Sequence, residues 1–282
     1  MYQGHSVGVV VPAHNEAQFI GEVLDSVPAF VDRVYVIDDH SDDETWDVIV
    51  ARADESAVAT ESEIEGDTTQ SLALARTDGS RSDGGRVFEN RVIPVRHETN
   101  KGRGAAVKTG YKLSRIDGMD VVAVMDGDGQ MDPALLGDII DPIVADEAEY
   151  TKGTRLSDRR HWRQMPKWRL FGNGVLTLLT KIASGYWGMT DPQNGYTAIS
   201  GDALDKYRIN DLYEGYGFLN HLLVRLGQEN ATVADVPIPA RYGEESSGIQ
   251  YRTFVPRLSL LLLQGFLSRL WSKVRPNSLT DR

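Results

Sequence analysis

Residues 7–39, VGVVVPAHNEAQFIGEVLDSVPAFVDRVYVIDD, decide the fold. Val7 to Val11 is a continuous apolar run of the kind a strand buried on both faces shows, and Pro12 closes it. Glu16 to Val27 places Phe19, Ile20, Val23, Leu24 and Val27 on one helical face, and Pro28 stops that helix. Arg33 to Ile37 predicts a second strand ending in Asp38-Asp39, and Glu44 to Ala51 a second helix. Strand and helix alternating in such short units predict an α/β chain with a mostly parallel central sheet flanked by helices. Ligands of such a sheet sit at the carboxyl ends of its strands.

Further along, Arg91 to Val95 and Asp120 to Met125 predict two more buried strands. Glu149 to Gly153 and Ala231 to Pro237 add others, with helices over Pro133–Ala145, Leu170–Ile182, Ala203–Tyr207 and Tyr216–Leu226. Residues 191–200 read as a turn followed by a strand. Between 52 and 90 the pattern dissolves into Ser, Thr, Gly, Asp and Glu, which predicts an acidic surface insertion. Residues 1–245 are expected to form the α/β domain and 246–282 a membrane-proximal amphipathic helical tail. Leu258 to Trp271 is only about 14 residues long, short of the ~20 needed to span a bilayer. Its Leu260, Leu263, Phe266, Leu267, Leu270 and Trp271 recur at helical spacing, which suits an interfacial helix and a core helix alike. The N-terminus carries no basic segment and no cleavage site, so no signal peptide is expected.

The 282 residues carry a formal net charge of −11 and no cysteine. Disulfides, thiol nucleophiles and thiolate zinc sites are therefore excluded, leaving oxygen and imidazole as metal ligands. An acidic chain also argues against general nucleic-acid binding, which rests on phosphate neutralisation. The charge comprises 26 Asp to 15 Glu and 22 Arg to 8 Lys, a bias resembling that of proteins from salt-loving archaea. Its placement is uneven: residues 152–169 hold a local +6 and residues 241–282 hold +4, leaving −21 on the rest. An acidic body with two basic, Trp-containing segments predicts one face for an anionic surface or ligand.

Four places can carry chemistry. Asp126-Gly127-Asp128-Gly129-Gln130 leaves a buried strand, and its two carboxylates can turn toward one hard cation with sites left open for diphosphate oxygens; a plain Asp-Gly turn is the alternative. Pro12 to Glu16 and Asp38-Asp39 stand where adjacent strand ends form a nucleoside pocket, although Asn15 and Asp42 also suit helix N-caps. Asn100 to Ala106 (NKGRGAA) is neither a Walker loop nor a good dinucleotide fingerprint, and tight chain packing is the better reading of its glycines. Arg155 and Arg169 bear guanidinium forks matched to phosphate, and Asp191 opens the turn DPQNGY as a base, an orienter of the acceptor, or an Asx-turn residue.

In order, VVVPAHNEA, VYVIDDHSDDET, NKGRGAAVKTGY, VMDGDGQMDP, GTRLSDRR, DPQNGYTAIS and YGFLNHLL resemble the family 2 glycosyltransferases, inverting enzymes of the GT-A fold. The nearest group in motif is the dolichyl-phosphate sugar synthases, and the resemblance covers residues 6–245 apart from the insertion. It implies that Pro12, His14, Glu16, Ile37 and Asp39 line the nucleoside pocket, with Asp39 on the base. It implies that Asp126, Asp128 and Gln130 hold Mg2+ or Mn2+ with the donor diphosphate, that Arg155 and Arg169 hold the acceptor phosphate in a basic loop over 152–169, and that Asp191 is the acid/base. Three departures stand out: His14 replaces the usual tyrosine of P-x-Y-N-E, Asn173 replaces a small hydroxyl, and Phe218-Leu219-Asn220-His221 lacks the glutamate of F-x-x-E.

The implied activity is metal-dependent hexosyl transfer from a nucleotide sugar to dolichyl or polyprenyl phosphate, peripherally bound at the cytoplasmic face of the membrane. DPQNGY and the segment after it look closer to the glucosyl-type synthases, favouring a UDP-sugar over GDP-mannose. A transferase acting on a sugar hydroxyl, a nucleotidyltransferase and a non-catalytic membrane-surface scaffold are the rivals. The Asp126/Asp128/Gln130 set argues against the last.

Overall fold

The computed structural model describes residues 1–53, 59–60, 81–82, 85–86, 90–155, 167–207, 209–215, 217–239 and 251–274. Most of the 52–90 insertion, residues 156–166 of the basic loop, and residues 240–250 and 275–282 lie outside the described residues, as do the side chains of Arg169 and Asn173; the ends of the expected loop are strand up to Thr154 and helix from Lys167.

An eight-stranded sheet forms the centre. Its strands are β1 (Val7–Ala13), β2 (Arg33–Asp38), the two-residue β3 (Ala59–Thr60), β6 (Val92–Arg96), β7 (Val121–Val124), β8 (Tyr150–Thr154), β9 (Thr197–Ser200) and β10 (Val233–Pro237). A separate short hairpin pairs β4 (Arg81–Ser82) with β5 (Gly85–Arg86). The sheet order is β10-β8-β9-β7-β1-β2-β6-β3, and every pairing is parallel except those of β9 with β7 and β8. The expected parallel sheet is thus present, with one reversed strand set between β7 and β8. The helices are α1 (Ile20–Ser26), α2 (Thr45–Val50), α3 (Arg103–Ile116), α4 (Leu136–Val144), α5 (Lys167–Ser184), α6 (Gly201–Lys206), α7 (Phe218–Gln228) and α8 (Tyr251–Val274).

The apolar run of β1 is continuous because both its faces are covered. Val10 points to the side packed by Val107 and Tyr111 of α3 and Leu222 of α7. Val7, Val9 and Val11 point to the other, against Ile20 and Leu24 of α1 and Ile139 of α4. Burial at this scale, ~1.5–3 kcal/mol for each large apolar side chain, fixes the strand register and with it the strand ends. Helix α8, longer than the predicted apolar stretch, lies on α5 and α7 through Leu258 and Leu262, which pack with Ala183 and Val224. No helix among the described residues is long and apolar enough to cross a membrane.

Candidate active site

Parallel pairing sets Pro12 beside Ile37 and Ala13 beside Asp38, so the ends of β1 and β2 open on the same edge. The loops beyond them are laced together. Asp42 N donates to Asn15 Oδ1 at 2.8 Å, Asn15 N donates to Ser41 Oγ at 2.9 Å, and Glu16 N donates to Thr45 Oγ1 at 2.7 Å. Neither Asn15 nor Asp42 caps a helix, since α1 starts after Phe19 and α2 after Glu44 without a side-chain cap. Asn15 accordingly takes the left-handed backbone, φ 58°, that this crossing demands.

The residues expected to line a nucleoside pocket divide into two kinds. Exposed His14 lies 3.1 Å from Asn100 Nδ2, and Glu16 is half-buried. Pro12 is buried, and the Ile37 side chain is fully enclosed in the sheet core with Ile93 and Val95, so Ile37 can meet a ligand only through its main chain. Asp39 is also buried. Its Oδ1 accepts from Lys101 N at 2.9 Å and lies 2.7 Å from His97 Nδ1, and its Oδ2 accepts from Gly102 N at 2.6 Å. Burial alone would raise this carboxyl, but these donors outweigh it and hold the group below the ordinary carboxylate value. His97, 3.0 Å from Thr109 Oγ1 through its other ring nitrogen, went unread in the sequence. Only the β2–β6 pairing, which sets Asp38 beside Arg96, brings it to Asp39.

The 100–102 turn is thereby fastened to the end of β2; Gly102 takes φ 92°, and Gly104 serves the tight packing that the sequence suggests. A Cβ on Gly104 would stand 2.4 Å from the Glu214 carbonyl oxygen and 2.9 Å from Phe218 Cβ. The chain crosses there at van der Waals contact.

Asp126 follows β7. Arg103 Nε and Nη2 both approach its Oδ1, each at 2.7 Å. Asp128 Oδ1 accepts from Gln130 N at 2.9 Å, which makes an Asx turn where the sequence offered a plain Asp-Gly turn as the alternative to a cation site. Among the described residues no three His, Asp or Glu side chains gather as a metal cage. Two carboxylates and one amide facing an open pocket still fit a hard cation that takes its remaining ligands from a substrate diphosphate. The pocket, about 140 Å³, is lined by Asp126, Asp128, Gln130, Arg155, Asn194 and Gly195 among others. Gly195 belongs to the DPQNGY turn, and a Cβ there would come within 2.7 Å of Asp126 Oδ2 and 2.5 Å of Arg103 Nη2.

Arg155 directly follows β8 and joins Asp126, Asp128 and Gln130 in lining this pocket. Asp191 stands behind it, buried and off the pocket wall, held bidentately: Arg155 Nε donates to Oδ2 at 2.8 Å and Nη2 to Oδ1 at 3.2 Å. A carboxylate gripped in this way is placed to orient the arginine. Lys152 leaves the basic loop altogether: its side chain is fully buried and pairs with Asp235 of β10 at 2.9 Å. Burial pushes its ammonium below the ordinary lysine value, Asp235 opposing the shift. In the FLNH segment, fully buried Asn220 donates to Thr180 Oγ1 at 2.8 Å and so ties α7 to α5. His221 accepts from Tyr213 N at 3.0 Å, and burial lowers its pKa.

The family model for glycosyl transferase family 2 matches residues 8–60 and 69–208. A UDP-N-acetylglucosamine–dolichyl-phosphate N-acetylglucosaminyltransferase of Methanococcus voltae is 28% identical over 239 residues, covering 84% of this chain and 86% of that one. An undecaprenyl-phosphate mannosyltransferase of Micrococcus luteus is 26% identical over 235 residues, 81% of each chain. Among solved structures, glucosyl-3-phosphoglycerate synthase from Mycobacterium tuberculosis, in complex with Mn2+, UDP and glucosyl-3-phosphoglycerate, superposes with a TM-score of 0.58 at 18% identity. That match covers 97% of this chain and 82% of the synthase, a likeness of fold.

Proposed function

The chain belongs to glycosyl transferase family 2 and is a glycosyltransferase related to the dolichyl-phosphate sugar transferases; from that premise we propose that it moves a hexose from a UDP-sugar to dolichyl or polyprenyl phosphate. The observation carrying this reading is that Arg155, oriented by Asp191, opens on the same pocket as Asp126, Asp128 and Gln130. One wall suits the donor diphosphate and the other an anionic acceptor.

Asp126, Asp128 and Gln130 would hold Mg2+ or Mn2+, which when bound supplies charge stabilisation to the departing nucleoside diphosphate. Asp39 Oδ2, which takes a single main-chain donor, offers an acceptor to a base N–H, with Pro12, His14 and Glu16 around it. Arg155 holds the acceptor phosphate in line with the anomeric carbon, on the face opposite the leaving group, and Arg169 is proposed to assist. A phosphate oxygen is already anionic near neutral pH, so it needs no strong base, which agrees with an Asp191 whose two oxygens both serve Arg155.

The same reading puts the protein on the cytoplasmic face of the membrane as a peripheral enzyme. In support, α8 turns Leu260, Leu263, Leu267 and Trp271 to solvent, 53–63% exposed. A panel of UDP- and GDP-sugars, each with dolichyl phosphate and with Mn2+, Mg2+ or chelator, tests the proposal. Metal-dependent transfer from a UDP-sugar is expected, and transfer only to sugar hydroxyls would refute it.

A further inference from the structure

Asp191 has φ 43°, in the left-handed region that a residue other than glycine keeps only when its surroundings over-determine it. Here the surroundings are a buried ion pair. The Lys152 ammonium, 1% exposed, donates to the carbonyl of Thr190 and to that of Asp191 at 3.3 Å, and its third near oxygen is Asp235 Oδ1 at 2.9 Å. Asp235 turns Oδ2 back to the same turn, accepting from Thr190 N at 2.6 Å and from Thr190 Oγ1 at 2.7 Å. Thr154 Oγ1 lies 2.7 Å from that hydroxyl. Two strands, β8 and β10, thus converge on Thr190 and on Asp191, the residue that opens the DPQNGY turn.

Stability does not explain such an arrangement. A buried ion pair is often no better for folding than apolar side chains of similar volume, whereas it fixes geometry closely. The ammonium's bonds to the Thr190 and Asp191 carbonyls and its ion pair with Asp235 hold the Thr190–Asp191 main chain, and the bidentate contact passes that position to Arg155.

We propose that Lys152, together with Asp235, is a positioning residue: it locks the main chain of Thr190 and Asp191 so that the Asp191 carboxylate presents Arg155 to the acceptor phosphate. The inference rests on the acceptor reading above and names the device that makes it work. Nothing in it requires Lys152 to touch a substrate.

The test compares Lys152→Met with the double variant Lys152→Met/Asp235→Asn, with dolichyl phosphate varied against the nucleotide sugar the wild type turns over. Lys152→Met leaves the largely enclosed Asp235 carboxylate without its countercharge and is expected to lower Tm. The double variant removes that charge and regains thermal stability. In both, kcat/KM for dolichyl phosphate is expected to fall by about tenfold or more, while KM for the nucleotide sugar stays within about twofold. Recovery of acceptor kcat/KM together with Tm in the double variant would show a merely structural pair and overturn the inference. A loss confined to the donor KM would overturn it as well. If the wild type turns over nucleotide sugar but transfers to no polyprenyl phosphate, the acceptor reading falls first and takes the inference with it.

Discussion

Arg155 and Asp191 face each other fork to carboxylate, Nε to Oδ2 at 2.8 Å and Nη2 to Oδ1 at 3.2 Å, with the arginine 39% exposed and the aspartate 10%. The exposed partner is the one a ligand can reach. Under the proposed function this asymmetry ranks the two residues, the guanidinium meeting the acceptor and the carboxylate serving the guanidinium. With a phosphate acceptor, Asp191→Asn keeps one of the two contacts and should retain activity within about tenfold of wild type, chiefly through a raised acceptor KM. Asp128→Asn, which weakens charge stabilisation of the leaving group, should lose about 10²–10³ in kcat. Steady-state kinetics on both variants check the ranking. Equal losses would point to Asp191 as an obligatory base and to a hydroxyl acceptor.

Asp39 gives a pH dependence with a defined sign. Its carboxyl is held below the ordinary 3.8 by His97 and two main-chain donors, despite burial. A depressed folded-state value contributes stability that is complete above the unfolded pKa and is lost as pH falls through the folded one. Asp39→Asn should therefore destabilise the protein at pH 7, where the amide turns a donor toward donors. It should also flatten the fall in stability below about pH 4. Urea titrations of both proteins at pH 7 and pH 3 measure this, and identical acid slopes would count against it.

Gly104 marks the closest crossing in the site's scaffold. A methyl group 2.4 Å from the Glu214 carbonyl oxygen meets backbone, which cannot rotate away as a side chain could. Gly104→Ala should cost about 1–3 kcal/mol through overpacking, although alanine is the better helix former. At about 2–4 °C per kcal/mol for a chain approaching this size, a thermal melt resolves the effect. A rise in Tm would mean that the α3 terminus can move aside.

The fold was legible because each buried strand advertises itself: Val7–Val11, Val34–Ile37 and Val121–Val124 have no polar face to lose. The place of the Asp126–Gln130 loop was legible for the same reason, since Asp126 and Asp128 follow a strand whose end is unmistakable. What stayed hidden depends on pairings between distant segments. Lys152 reads locally as one more cation in a basic stretch, and only the β8–β10 register, Lys152 beside Asp235, buries and neutralises it. Arg103 reads as part of a glycine turn, and only the approach of α3 to the end of β7 gives it Asp126. The basic character of 152–169 is consequently weaker at the surface than its +6 implies, because Lys152 and Arg155 both have acidic partners.

For the proposed membrane attachment, that weakening shifts the weight from the basic segments to the apolar face. Leu263 and Leu267 lie one turn apart on α8 and are 53% and 54% exposed, while Leu258 and Leu262 anchor the helix to the body. Leu263→Asp/Leu267→Asp changes the outward face alone, so Tm and turnover of a short, water-soluble polyprenyl phosphate should stay close to wild type. Flotation with anionic vesicles should drop by about tenfold or more, since each leucine contributes up to ~1.5–3 kcal/mol when buried in the interface. Salt separates the two forces that act on this protein. Raising KCl from about 0.1 to 1 M shortens the Debye length from ~10 to ~3 Å, which relieves repulsion within a chain of net charge −11 and should raise Tm. The same change should leave much of the vesicle binding intact, because apolar insertion is not screened. Binding that vanishes in 1 M KCl while the leucine variant binds like wild type would instead assign attachment to the basic segments.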